Sequence, residues 1–221
     1  MTGADITVWG VGTMRTMRVH WLLHELGVTE YRTRPIGSRT GETQTEDYGR
    51  LSPKRKIPVL EHGLFVLTES AAILNYLTEI FEAPAGFYRP ADAADRARLN
   101  EWCFFVMTEL DAHSLYVVRR HGDLADIYGA APVAVDSAKE YFSLLLNAGT
   151  SRMDDDDDYV MGKDLSVADI LLATCLEWAH AIKVPLSARM QRYRATVRQR
   201  PAYRHVYALN YPDRPPIAPA G

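Results

Sequence analysis

Apolar positions come in short bursts over the first third of the chain and at long helical intervals after it. Residues 5–9 form a brief β-rich run that ends at Gly10-Val11-Gly12. From residue 15 to 26, Val19, Leu22, Leu23 and Leu26 recur at the spacing of one helix face, and Gly27 stands where a helix ends. Residues 31–34 alternate Tyr, Arg, Thr, Arg, the mark of a half-exposed strand. The polar stretch 37–56 predicts a long loop holding at most a short helix. Pro58-Val59-Leu60 and residues 64–67 read as two strands of a hairpin joined through Glu61-His62-Gly63. Residues 69–81 predict an amphipathic helix with Ala72, Ile73, Leu77 and Ile80 on one face. The predicted order is β-α-β-loop-β-β-α, with the first two strands parallel because a helix crosses between them.

The pattern changes near residue 83. Residues 82–91 carry two prolines and a glycine and read as a linker. Beyond it, residues 92–121 predict a long, kinked helix and residues 133–146 another. The acidic run 154–158 predicts a loop. Residues 166–181 predict an apolar helix opened by Ser166-Val167-Ala168-Asp169, whose hydroxyl and carboxylate have the spacing of a capping box. A basic helix over 187–199 precedes Pro201 and a short final helix. Four prolines in residues 211–221 predict an extended tail. The sequence holds no internal repeat.

Composition narrows the class. Apolar residues make up 47% and charged residues 24% of 221 positions, enough for a packed core. With 25 basic and 28 acidic residues the net charge is −3, which argues against a nucleic-acid partner. No uncharged run reaches the ~18 apolar residues of a membrane span, and no apolar leader follows an early basic residue. Cys103 and Cys175 make neither a disulfide framework nor a zinc site. The expectation is a cytoplasmic protein of two domains.

Most candidate chemistry fails on its own requirements. Gly10-x-Gly12 follows a strand, but a dinucleotide fingerprint needs glycine where Arg15 stands. The aspartate run would need glycine at Tyr159 and glutamate at Leu165 to bind calcium. His20 and His24 share a helix face without a third metal ligand nearby, and read as surface or interface histidines. Cys103 and Cys175 lie in apolar helical stretches and read as core. Gly-x-Ser-x-Gly is absent.

One arrangement survives. The element order is close to that of thioredoxin-like domains, in which the loop after the first strand meets a helix N-terminus able to stabilise a thiolate. Here that loop reads Thr13-Met14-Arg15-Thr16, without cysteine. Any sulfur used there must arrive with a ligand.

Three segments then carry a family resemblance. Residues 18–28 (RVHWLLHELGV) are similar to the helix-one pattern of cytosolic glutathione transferases, ending in E-L-G. Lys56-Ile57-Pro58-Val59-Leu60 and residues 67–77 (LTESAAILNYL) resemble that family's K-V-P-x-L and E-S-x-A-I-x-x-Y-L block. Residues 160–170 (VMGKDLSVADI) are similar to its G-x-x-[ST]-x-A-D-I signature, with one extra residue before the serine. The chain thus resembles the serine/threonine-type, bacterial-like members of the family from end to end.

The resemblance implies a thioredoxin-like glutathione-binding domain over residues 1–83 and an all-helical domain over 92–221 that contributes the electrophile site. It implies a glutathione S-transferase, with glutathione as co-substrate, a hydrophobic electrophilic small molecule as second substrate, and a homodimer. Pro58 would be a cis-proline. The backbone of Ile57 would pair with the cysteinyl part of glutathione. Glu69 and Ser70 would hold the γ-glutamyl end, and Lys56 the glycyl carboxylate. Ser52-Pro53-Lys54-Arg55 departs from the family's Asn-Pro-x-Gly, which leaves the local backbone open. Thr13, through its hydroxyl or backbone amide, would stabilise the thiolate, with Arg15 adding charge and Thr16 close by. The electrophile would meet Trp102, Phe105 and Tyr116 in a cleft between the domains. Three alternatives stay open: a glutathione-dependent peroxide or disulfide reductase, a non-catalytic interaction module of the same fold, and a cysteine-dependent reductase, against which the missing first-loop cysteine argues.

Overall fold

A computed structural model describes residues 3–154 and 156–217. Four strands, β1 (Ile6–Trp9), β2 (Arg32–Arg34), β3 (Val59–His62) and β4 (Phe65–Thr68), form one sheet in the order β2-β1-β3-β4. β1 runs parallel to β2, and the β1–β3 and β3–β4 pairs are antiparallel. Helix α1 (Met14–Glu25) makes the crossover, as its position between parallel strands requires. It ends in a Schellman motif. Gly27 takes φ +72°, its N–H reaches the His24 carbonyl at 3.1 Å and the Val28 N–H reaches that of Leu23 at 2.8 Å.

The polar stretch holds a short helix, α2 (Glu46–Leu51). The hairpin differs from expectation. His62 pairs with Phe65, so Glu61 and His62 belong to β3 and the turn shrinks to Gly63-Leu64, with Gly63 at φ +58°. The polar pair looked like turn sequence because this part of the sheet is only half buried. Helix α3 (Ser70–Ile80) follows β4 and packs against α1, with Ile73, Leu74, Leu77, Trp21, Leu22 and Leu23 all fully buried.

The second compact unit spans Tyr88–Thr196. Helix α4 spans Ala93–Phe105. It passes without a break into wider π-type turns over Val106–Leu115, then α5 (Tyr116–Val118), π-type turns again over Arg119–Asp123, and α6 (Ala125–Tyr128). The Tyr116 N–H reaches back five residues to the Asp111 carbonyl, and the Ser114 hydroxyl donates to the Glu109 carbonyl at 2.6 Å. Helices α7 (Pro132–Thr150), α8 (Val167–Ala181) and α9 (Ala188–Arg198) complete the helical elements there. Cys103 and Cys175 are both buried.

The first unit takes in the chain up to Phe87 and again from Val197 onward. Helix α10 (Pro201–Asn210), which the sequence groups with the helical domain, packs against α1. Tyr203 meets Trp21 edge-on with ring centroids 4.9 Å apart, and Arg200 grips both carboxylate oxygens of Glu25 at 2.7 Å. An apolar stripe announces a buried face but not its partner, which is why this placement could not be read beforehand. Residues 211–214 close a turn, the Arg214 N–H reaching the Tyr211 carbonyl, and residues 218–221 of the expected tail lie outside the described residues. Among the described residues no helix is long and apolar enough to cross a membrane.

Candidate active site

The end of β1 brings the first loop against the segment before β3. Gly10 sits at φ +110°, and a Cβ there would lie 2.7 Å from Ile57 Cβ and 2.8 Å from Thr16 Cγ2. Only glycine lets these backbones close, a role the dinucleotide reading of Gly10 did not anticipate. The Ile57–Pro58 bond is cis, and both residues are buried. Just before them, the Lys56 carbonyl accepts from the Tyr48 hydroxyl at 2.9 Å, while the Lys56 side chain is exposed.

Thr13 is the N-cap of α1. Its hydroxyl oxygen accepts the Thr16 N–H at 3.0 Å, and the Thr16 hydroxyl oxygen accepts the Thr13 N–H at 3.1 Å, a capping box made of two threonines. Thr16 is fully buried, whereas Thr13 and Arg15 are half-buried. The first turn of α1 carries no acidic residue, so nothing on the helix itself neutralises its partial positive end.

Asn210, the last residue of α10, closes the loop from behind. Its amide oxygen accepts from the Gly12 N–H at 3.1 Å and the Thr16 hydroxyl at 2.8 Å, and its amide nitrogen donates to the Thr13 carbonyl at 3.0 Å. Nothing in sequence points to this residue, which lies almost two hundred positions away.

Glu69 and Ser70 start α3. Glu69 has a left-handed backbone, φ +72°, unusual for a side chain of its size and a pattern that marks constrained functional positions. Its exposed carboxylate meets Lys54 Nζ at 2.5 Å. Ser70 is nearly buried, and its hydroxyl oxygen accepts from Arg18 Nη1 at 3.1 Å. Arg18 is itself fully buried, a cation held directly behind the helix start. A charged residue inside the apolar run of α1 was the available signal for it.

His20, expected at a surface or interface, is buried inside this unit. Its Nε2 faces the Gly10 carbonyl at 3.1 Å, so Nε2 carries the proton and Nδ1 accepts from the Tyr31 hydroxyl at 2.8 Å. Burial is the main cause that lowers its pKa to about 4. Among the described residues no group of three or more His, Cys, Asp or Glu is placed to hold a metal.

In the helical unit, Trp102 and Phe105 meet edge-on at 6.0 Å and line a cavity of about 740 Å³ with Arg98, Glu101, Gly149 and Arg152. Tyr116 is half-buried farther along and is not part of that lining.

A thioredoxin-like sheet, a cis-proline segment facing a capped helix start, and a helical second unit define the class. Residues 4–79 match the family model described as glutathione S-transferase, N-terminal domain. A mouse glutathione S-transferase theta-3 is 39% identical over 80 residues, 36% of this chain and 33% of the relative. The Drosophila melanogaster glutathione S-transferase D7 is 32% identical over 155 residues, 67% of this chain and 65% of the relative. The chain thus spans between one third and just under two thirds of the length of these curated relatives. Among solved structures, glutathione transferase URE2P6 from Phanerochaete chrysosporium, in complex with oxidized glutathione, superposes with a TM-score of 0.80 at 19% identity, covering 95% of this chain and 98% of that one. The chain is similar to glutathione transferases, and its residues 4–79 match the model of their N-terminal domain.

Proposed function

We propose that this protein binds reduced glutathione, stabilises its thiolate and directs it at an electrophilic small molecule, as a glutathione S-transferase of the serine/threonine type. The observation that carries the reading is the start of α1: a hydroxyl at the N-cap, no acidic residue in the first turn and no cysteine in the loop. Thr13 spends one lone pair on the Thr16 N–H and keeps its own proton to donate to sulfur. Lowering a thiol pKa by two units takes about 2.7 kcal/mol of preference for the anion. A hydroxyl bond to a charged acceptor and a helix N-terminus supply that between them, and Arg15 in the first turn adds positive charge.

The rest of the site suits the tripeptide. Ser70 offers its hydroxyl proton and the free amides of α3 to the γ-glutamyl carboxylate, with the Arg18 cation one hydrogen bond behind. Glu69 takes the ammonium. Its pair with Lys54 is exposed and worth under ~1 kcal/mol, so it opens for a ligand. The Ile57 backbone pairs with the cysteinyl unit in the manner of an added strand, and Lys56 reaches the glycyl carboxylate. The thiol proton leaves to solvent. Sulfur then attacks the electrophilic carbon, and the leaving group departs with its electron pair. Trp102 and Phe105 supply the apolar surface for that electrophile, and Tyr116 is the third aromatic assigned to it.

The same reading makes the protein a cytoplasmic homodimer that serves detoxification. Exposed Leu64, Phe65 and Val66 on the β4 hairpin, with Phe104 and Leu144 on the helical unit, support a dimer that covers them. Sedimentation as a monomer at micromolar concentration would exclude it.

Glutathione titration tests the core of the proposal. Trp9 and Trp21, both in the first unit, should report saturable binding by fluorescence, and ultraviolet difference absorbance should show a thiolate at neutral pH. Binding without the thiolate signal would make the protein a binding module. No binding at millimolar glutathione would end the reading.

A further inference from the structure

The Thr13 loop is tied to its surroundings at its start, where the Gly10 and Val11 N–H groups donate to the Arg34 and Ile36 carbonyls at 2.9 and 3.0 Å. Gly12 sits at φ +81° and is exposed, Thr13 is half-buried, and the capping box ties Thr13 only to its own helix. Past that point, polar groups of Gly12, Thr13 and Thr16 converge on one side chain. Asn210, 1% exposed, accepts from Gly12 and Thr16 and donates to Thr13. Its orientation follows from its partners, because an amide N–H can only donate and a carbonyl can only accept.

We propose that Asn210 is the positioning residue of the thiol-activating loop. The inference rests on the reading of Thr13 as the thiolate-stabilising residue. The Thr16 hydroxyl has two acceptors at 2.8 Å, the Asn210 amide oxygen and the Thr13 carbonyl, and with its proton on either of them its oxygen accepts the Thr13 N–H at 3.1 Å. The Thr13 hydroxyl keeps its proton, which can turn to Thr16 Oγ1 at 3.1 Å until sulfur offers a charged acceptor. The bond from Asn210 Nδ2 to the Thr13 carbonyl and the bond from Gly12 fix where that hydroxyl stands. Preorganised donors of this kind act on the charged state of the ligand more than on its overall binding.

A purely structural role would be redundant here. The paired bonds from Arg200 to Glu25 and the edge-on packing of Tyr203 on Trp21 already dock α10 against α1. Both contacts lie far along α10 from its last residue. Asn210 acts locally, on the loop.

The test compares wild type, Asn210→Ala, Asn210→Asp and Thr13→Ala by the pKa of bound glutathione and by kcat and KM with an activated aryl halide. Asn210→Ala should raise the thiol pKa by about one unit and lower kcat roughly tenfold, while the KM for glutathione stays within about twofold. Asn210→Asp keeps both acceptor contacts, loses the donor and adds charge, and should raise the thiol pKa further. An unchanged thiol pKa and kcat in a folded Asn210→Ala, or equal loss of binding and turnover, would overturn the proposal. Should neither variant fold, hydrogen exchange in the wild type decides: the Gly12 amide should be protected like the body of α1, and free exchange would show that no clamp exists. Failure of the underlying reading looks different. In that case wild type itself forms no thiolate, or Thr13→Ala leaves it intact.

Discussion

The chain contains two helix starts built on the same device, a capping box, with different chemistry in it. At α8 the capping box is Ser166 with Asp169, and every part of it is sealed. The Asp169 carboxylate accepts from the Val160 N–H at 2.8 Å, the Ser166 N–H at 2.8 Å, the Ser166 hydroxyl at 2.6 Å and the Tyr193 hydroxyl at 2.6 Å. At α1 the box is Thr13 with Thr16: neutral, half-open at the cap and without an acid in the first turn. An acid inside the box spends the positive end of the helix on the fold itself. Its absence leaves that end for a ligand's negative charge. The acidic member therefore separates the box that holds the structure from the one proposed to serve chemistry.

The largest effect should come from the sealed box. Asp169→Ala removes the acceptor of four donors, Val160 and Ser166 N–H and the Ser166 and Tyr193 hydroxyls, inside the helical unit. Unsatisfied buried groups of this kind cost on the order of 3–5 kcal/mol in total. Urea unfolding should register that loss. A loss under ~1 kcal/mol would mean that the two helix starts are equivalent and the distinction is empty.

How far each box could be read in advance follows from its reach. Ser166 and Asp169 are three residues apart, and Gly27 ends α1 by contacts within five residues, so both were legible in the sequence. The parallel β1–β2 pair followed from one crossover helix. Asn210 and Thr13 are 197 residues apart, and no local pattern encodes such a pairing. The π-type turns after α4 left no trace either, since their apolar spacing passes for an α-helix. Thr13 is proposed as a site residue only through resemblance, because a threonine before a helix is ordinary capping chemistry. Whether it also meets sulfur depends on what faces it, which periodicity does not describe.

Acid should act on the two regions in opposite directions. His20 ties to Gly10, the residue from which the Thr13 loop departs, and holds a pKa near 4 against an ordinary 6.5. The unfolded chain therefore takes up a proton as pH falls through 6.5, and the folded one does not until about 4. Stability present at neutral pH is lost across that window, by about 3 kcal/mol for the full shift. His24, lowered by burial and by His205, pushes the same way. Asp169 has its carboxyl pKa raised, mainly by burial, so its contribution grows as pH falls. Unfolding by urea at pH 7.5, 5.5 and 4.5 should show the loss, and His20→Gln should flatten it. An equally steep fall in that variant would remove the histidine from the account.

The smallest effect is the most discriminating. Thr13→Asp installs at α1 the acid that α8 already has in its box. An aspartate is at least as good an N-cap as threonine, and its charge meets the open helix end, so the variant should gain about 0.3–1 kcal/mol in stability. The same charge would stand where the glutathione sulfur is proposed to ionise. The thiol pKa should return to its free value or above it, and turnover should fall by more than tenfold while the protein becomes harder to unfold. Stability and activity moving in opposite directions on one substitution is what an N-terminus reserved for a ligand predicts. If Thr13→Asp instead lowered stability and left the thiolate signal in place, the positive end of α1 would not be where the sulfur binds, and the contrast between the two helix starts would be one of sequence only.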